Sequence, residues 1–227
     1  MLLIDQLQHA YQRDQPVLRG VQLEIATGER HGILGANGAG KTTLFHLISG
    51  QLPVKEGNIR YDEQVIYRRQ VSLLEAEPVF YPYMTGGEVL RFFKDDAAAI
   101  EQWNGVFQLP LGAYAEEYST GMKKKLGLMC VLLQDDRPVL ILDEPFNGVD
   151  YESNEKIMAL LRHERLHQRT MLISSHILHT LTRVCDRISV LQSGQITATY
   201  SRPDFHLLEN TVREGVEDAV HKALGGL

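Results

Sequence analysis

The chain has 227 residues, of which 44% are hydrophobic and 23% charged, with a formal net charge of -6. This balance belongs to an ordinary globular domain and excludes disordered, collagen-like and disulfide-stapled chains. No apolar run approaches the ~18 residues of a membrane helix, and the acidic balance argues against a nucleic-acid surface.

In chain order, alternating apolar residues predict strands over 2–8, 21–25 and 31–34, then over 58–61, 64–67 and 71–74. Gly28-Glu29 and Glu56-Gly57-Asn58 supply turns between them. Helical spacing takes over at 88–93, 97–107 and 121–133, with Ser119 and Thr120 as candidate N-caps for the last. Strand and helix then alternate: a strand over 139–142, a helix over 151–167, a strand over 170–174 and a helix over 177–184. A hairpin of 188–191 and 195–200 turns at Ser193-Gly194, and an amphipathic helix covers 207–224. Such a pattern predicts an α/β core with a helical insertion of about 50 residues. The start Met1-Leu2-Leu3-Ile4-Asp5 lacks the basic and apolar parts of a secretion signal. Cys130 and Cys185, alone in apolar surroundings, read as core thiols of a reducing cytosol.

The strand at 31–34 runs into Gly35-Ala36-Asn37-Gly38-Ala39-Gly40-Lys41-Thr42, which fits the phosphate-binding pattern G-x-x-x-x-G-K-[ST]. Glycines let backbone N–H groups turn inward around phosphate oxygens. Lys41 brings a point charge to the β- and γ-phosphates, and Thr42 offers a hydroxyl to Mg²⁺. The wholly apolar strand 139–142 ends in Asp143-Glu144. A strand apolar on both faces lies inside a parallel sheet, and ligands bind beyond the carboxyl ends of such strands. Asp143 therefore suits the Mg²⁺ side of a nucleotide site, and Glu144 suits a general base for water. His176 ends the next strand, where it either contacts the γ-phosphate or is structural.

Between these motifs, Tyr118-Ser119-Thr120-Gly121-Met122 opens a helix. With it the chain resembles the nucleotide-binding domain of ABC transporters over residues 2–200. The usual family signature is L-S-G-G-Q, and Y-S-x-G-M looks like a variant of it. The resemblance implies an α/β fold: a P-loop ATPase core with an antiparallel β subdomain over about residues 1–84 and 137–200, a helical signature subdomain inserted over 85–136, and a C-terminal helical tail over 201–227. It implies ATP on Tyr11, on Gly35 to Thr42 and on Thr43, with Tyr11 stacked on adenine. Mg²⁺ is then held by Thr42 and Asp143. Lys41, Glu144 and His176 serve catalysis, and Asp150 ends the D-loop. Ser119, Thr120, Gly121 and Met122 complete the ATP site of a second cassette, in a homodimer or a heterodimer.

One motif departs from the family. A glutamine is expected where Ala76 stands, between Glu75 and Glu77. Either glutamate takes over its contact with Mg²⁺ and water, or the contact is lost. Lys123, Lys124 and Lys125 crowd the first turn of the signature helix, where cations oppose the helix dipole at a cost of about 0.3–1 kcal/mol each. A triphosphate docked from another subunit offsets that cost; a solvated lysine run is the plainer alternative. The apolar stretch from Pro78 to Met84 reads as a docking surface for a membrane-spanning subunit on another chain, or as core packing. The implied protein is a cytoplasmic ATPase, peripheral on the inner face of the cell membrane, that powers a transporter of the exporter type. Two alternatives stand beside it: a soluble ABC ATPase acting on ribosomes or DNA, and a nucleotide switch that does not hydrolyse.

Overall fold

Strand β3 (Arg30–Leu34) is buried along its last four residues, so it needs a layer on each of its faces. The computed structural model, which describes residues 1–12, 15–163, 166 and 168–224, provides both. β3 lies inside a six-stranded sheet with β6 (Val71–Leu74), β7 (Val139–Leu142), β8 (Thr170–Ser175), β9 (Arg187–Gln192) and β10 (Gln195–Ser201). The order is β10-β9-β3-β8-β7-β6, and all neighbours are parallel except the β9–β10 hairpin. A second, antiparallel sheet contains β1 (Leu2–Gln12), β2 (Gln15–Ile25), β4 (Glu56–Tyr61) and β5 (Gln64–Val65), in the order β2-β1-β4-β5.

The two faces of β7 divide the core. Val139 and Ile141 face helix α1 (Lys41–Ile48) and the second sheet, where Leu44, Phe45 and Ile48 pack with Leu2, Ile4 and Leu7. Leu140 and Leu142 face the helical side. There they meet α4 (Thr120–Leu132), α5 (Tyr151–Leu161) and α6 (Leu178–Val184), with α2 (Gly86–Phe93) and α3 (Ala97–Phe107) beyond. Each such fully buried side chain contributes about 1.5–3 kcal/mol. Short polar residues set the helix starts. Thr85 and Glu88 form a capping box on α2, Asp96 caps α3 and Ser119 caps α4. Helix α7 (Phe205–Leu224) docks through buried Phe205 and Leu208, and residues 209–217 are exposed.

The α/β architecture is the one the pattern predicts, with three local differences. The β1–β2 hairpin reaches Gln12 and Gln15, well past the apolar alternation, because ladder hydrogen bonds rather than burial hold its polar tip. The strand expected over 64–67 stops at Val65, and Tyr67 instead caps a 3-10 turn. The helix expected over 151–167 ends at Leu161. The chain turns there, Leu166 N–H donates to the His163 carbonyl at 3.0 Å, and Leu166 is buried in a 3-10 turn rather than an α-helix; residues 164, 165 and 167 lie outside the described residues. Both cysteines are free and buried, and burial pushes the Cys130 thiol up to about 12, which makes it inert. Among the described residues no helix is long and apolar enough to cross a membrane.

Parallel pairing sets the carboxyl ends of β3, β8, β7 and β6 side by side. Gly35, then Ser174 to His176, then Asp143-Glu144, then Glu75 emerge along that one edge.

Candidate active site

The loop from Gly35 to Gly40 has a backbone that side chains would spoil. Gly38 and Gly40 have φ of 80° and 108°, in the left-handed region. A Cβ at Gly35 would lie 2.6 Å from the Leu191 carbonyl oxygen. Ala36, Asn37 and Gly38 form the exposed crest, and Ala39 is buried beneath it. No side chain caps the first turn of α1, which leaves its N–H groups for an anion. Lys41 is 6% exposed, and its ammonium donates to the carbonyls of Gly35 at 2.7 Å and Ala36 at 3.2 Å.

The acids are held by hydroxyls. Asp143 is 1% exposed, a costly position for a carboxylate without donors. Thr42 Oγ1 donates to Asp143 Oδ2 at 2.6 Å, and Ser174 Oγ donates to Asp143 Oδ1 at 2.5 Å. The same Ser174 Oγ accepts the Glu144 N–H at 2.8 Å. Glu144 has φ 46°, a strained backbone for a residue with a side chain. Its Oε2 lies 3.0 Å from His176 Nδ1. Its Oε1 sits 3.2 Å from Lys41 Nζ as an ion pair, but is buried and accepts no hydrogen bond. A buried carboxylate oxygen with free lone pairs is what a general base for water requires.

Thr42 and Asp143 are hard oxygen donors in direct contact, a set that fits Mg²⁺ completed by phosphate oxygens and water. Among the described residues no three His, Cys, Asp or Glu gather into an all-protein cage. That suits an ion shared with a phosphate ligand.

The remaining predicted residues surround this centre. Tyr11, 62% exposed, donates or accepts at Thr43 Oγ1 across 3.2 Å and stands edge-on to His9, leaving an aromatic face open. Glu75 turns towards α1: its carboxylate accepts from His46 at 3.0 Å and from Gln51 at 2.8 Å. Glu77 is exposed, and Ala76 has only a methyl. Asp150 caps α5, accepting from Ser153 N–H at 2.9 Å and Ser153 Oγ at 2.7 Å, and those bonds lower its pKa. Ser119 and Thr120 lie exposed at the start of α4, and Gly121 and Met122 are half-buried. Among the described residues no hydrogen bond or ion pair joins this turn to the loop 35–42 of the same chain.

The solvated lysine run is corrected. Lys124 is 1% exposed and donates to the Glu75 and Ala76 carbonyls, because α4 packs its first turn against the end of β6. Lys125 reaches Ser153 Oγ at 3.2 Å and Asp150 at 3.8 Å. Lys123 is half-buried. Two positions escaped sequence reasoning. Ser174 binds both acids, and its only signal was a hydroxyl ending an apolar strand. Lys124 was hidden among its neighbours.

Comparison with known proteins gives this geometry a family. The ABC transporter family model matches residues 18–147. The chain is 28% identical over 221 residues to the linearmycin resistance ATP-binding protein LnrL of Bacillus subtilis (strain 168), covering 90% of this chain and 70% of that protein. It is 31% identical over 191 residues to the thiamine import ATP-binding protein ThiQ of Histophilus somni (strain 129Pt), covering 77% of this chain and 89% of that one. The solved ATP-binding subunit of an ABC transporter superposes with a TM-score of 0.81 at 29% identity, covering 90% of this chain and 91% of that chain. Together with the phosphate loop and its facing acids, these likenesses show that the chain belongs to the ABC transporter family, as an ATP-binding subunit and an ATPase.

Proposed function

We propose that this chain hydrolyses MgATP to drive a separate membrane-spanning subunit, in the direction of export. The observation that carries the hydrolytic reading is the meeting of three features at one sheet edge. They are the loop 35–42, the Thr42–Asp143 contact, and the Oε1 of Glu144, ion-paired with Lys41 but accepting no hydrogen bond. Lys41 and the loop N–H groups bind the phosphates. Thr42 and Asp143 hold Mg²⁺, which neutralises charge on the phosphates when bound. Glu144 orients water and takes its proton at Oε1, with His176 fixing the other oxygen from beside the γ-phosphate. Tyr11 supplies the face for adenine and Thr43 a further phosphate contact. Catalysis of this kind is mostly positioning and electrostatics.

The turn Ser119 to Met122 serves the ATP of a second cassette, with Asp150 at the same face. Two observations support this. The turn makes no bond to its own phosphate loop, and a Cβ at Gly121 would lie 3.1 Å from the Gly148 carbonyl, so signature and D-loop present one joint surface. A homodimer gives two equivalent sites, a heterodimer two different ones. A cysteine in the signature turn paired with one in the loop 35–42 is expected to cross-link two copies of this chain in a homodimer and to leave them unlinked in a heterodimer.

A cavity of about 340 Å³ beside Glu75 is lined by Val79, Phe80, Tyr81, Met84, Phe92 and Phe93. Val79 and Tyr81 are 91% and 77% exposed, and this apolar mouth suits a segment of the membrane subunit. The pair Val79→Ser and Tyr81→Ser is expected to abolish co-purification with that subunit while leaving the melting temperature within about 2 °C, since neither side chain is in the core. Export rests on the Y-S-x-G-M signature; the likeness to the thiamine import protein ThiQ points the other way, so vesicle transport in each direction decides.

The first experiment is to tag the chain, solubilise native membranes and identify what accompanies it. A polytopic membrane protein in stoichiometric amount is expected. Ribosomes or DNA-bound complexes in its place would overturn the transport reading and put the chain among soluble ABC ATPases.

A further inference from the structure

Lys124 has no role in the reading above, and its surroundings are unusual. Lysine is almost never fully buried unless it is paired, yet this one is 1% exposed on the first turns of α4. Its ammonium donates to two main-chain carbonyls, those of Glu75 and Ala76, in the turn leaving β6. The same turn is gripped from its other side. The Glu75 carboxylate accepts from His46, which belongs to the helix that starts at Lys41. Residues 75 and 76 therefore tie the helix of the phosphate loop to the helix of the signature.

Two further observations make this junction tight. Gly127 lies three residues after Lys124 on the same face of α4. A Cβ there would sit 2.8 Å from Leu74 Cδ1 and 3.0 Å from Pro78 Cγ, so the helix rests directly on this turn. Ala76 carries only a methyl, so the position has no polar side chain to reach Thr42 or Asp143, and its main-chain carbonyl is held by Lys124 instead. Beyond the turn the chain enters the stretch that lines the apolar cavity.

The ammonium also lies within the electrostatic field of the site. Burial lowers the Lys124 pKa, while Asp143, Glu144 and Glu77 act to raise it. MgATP arriving beside Asp143 and Glu144 changes that field by whole charges, and the low dielectric of the interior transmits the change.

We infer that Lys124 is a positioning residue that clamps the signature helix to the Glu75–Ala76 turn and passes the state of the nucleotide site to the apolar docking cavity. The inference rests on the ATPase reading, and its test separates the two. Hydrogen–deuterium exchange is followed on the 75–81 segment of the wild-type chain, Lys124→Met and Lys124→Arg, each with and without MgATP. Nucleotide affinity, melting temperature, kcat and KM are measured on the same preparations.

In the wild-type chain, MgATP is expected to slow exchange across 75–81. Lys124→Met is expected to lose that response and about tenfold in kcat, near the middle of the range for residues in a coupling network. Its nucleotide affinity and KM stay within about threefold, because Lys124 touches no phosphate-binding group. Lys124→Arg, which keeps the donors, is expected to recover the exchange response and most of kcat. An exchange response to MgATP that survives intact in Lys124→Met would overturn the inference. So would a joint collapse of melting temperature and kcat in both variants, which marks a packing role alone, and so would a wild-type segment indifferent to MgATP. Absence of hydrolysis by the wild-type chain in those preparations counts against the ATPase reading instead, since the exchange response needs only binding.

Discussion

Replacing Glu144 with Gln is expected to lower kcat by about 100- to 1000-fold, in the lower half of the range for loss of a positioned general base, with ATP affinity changed by less than about threefold. The reason lies in what the two carboxylate oxygens do. Oε2 meets His176 at 3.0 Å, a contact a glutamine amide keeps by donating to Nδ1. Oε1, buried and without a hydrogen bond, is the atom with lone pairs left for water. In the variant the amide oxygen takes that place facing Lys41, and an amide oxygen does not accept a proton at neutral pH. Shape, volume and the Lys41 contact persist, so binding persists while proton transfer goes. The expected loss corresponds to about 3–4 kcal/mol in the barrier. Single-turnover hydrolysis, alongside equilibrium binding of a fluorescent ATP analogue, separates the two quantities. Turnover within about threefold of wild type would remove Glu144 from proton transfer. A parallel loss of binding would make it a phosphate-side structural residue.

How far the sequence discloses this site depends on how local each requirement is. The loop 35–42 is legible because one contiguous stretch of backbone does the work: Gly38 and Gly40 need positive φ, and Gly35 needs the absence of a Cβ. Asp143-Glu144 is legible only beside that loop: alone, two acids at a strand end read as a solvated turn, and the phosphate site is what turns them into a metal ligand and a base. The helical caps follow from the same local logic, as the Thr85–Glu88 box shows. Legibility stops where a role depends on which strand lies beside which. Ser174 is 31 residues from Asp143, and only the β7–β8 register, with Leu142 opposite Ile173, brings its hydroxyl to that carboxylate. A lysine run on a helix reads as solvated because helical periodicity is silent about what packs on it. The turn after β6 buries Lys124, and nothing within the run itself signals this. The reach of the β1–β2 hairpin failed for a related reason: its tip is stabilised by main-chain pairing, which leaves no apolar alternation to read.

The Ser174 hydroxyl provides the second large effect, and here the expected result is a loss shared between stability and rate. Ser174→Ala removes the donor to Asp143 Oδ1 and the acceptor of the Glu144 N–H in one step. Ser174 is fully buried, so water has no easy route to replace it. A buried polar group left without its partner costs about 1–3 kcal/mol, and more when it is charged. For a domain of this size each kcal/mol lowers the melting temperature by about 2–4 °C, so a fall of roughly 4–10 °C is expected. The kinetic part comes from geometry. The left-handed backbone of Glu144 keeps only the Asn147 N–H bond to its carbonyl, and Asp143 loses one of the two hydroxyls that fix its carboxylate plane. Misplacing catalytic groups by a fraction of an ångström to an ångström costs up to about 100-fold; a decrease of about 10- to 100-fold in kcat, with KM for ATP little changed, is therefore expected. Thermal melting together with initial rates at 25 °C, well below the transition, keeps the two effects apart. A lowered melting temperature with unchanged kcat would mean that Thr42 alone suffices to orient Asp143. It would also mean that the strained Glu144 backbone is held by the strand ends around it, and Ser174 would then belong to the core rather than to the site.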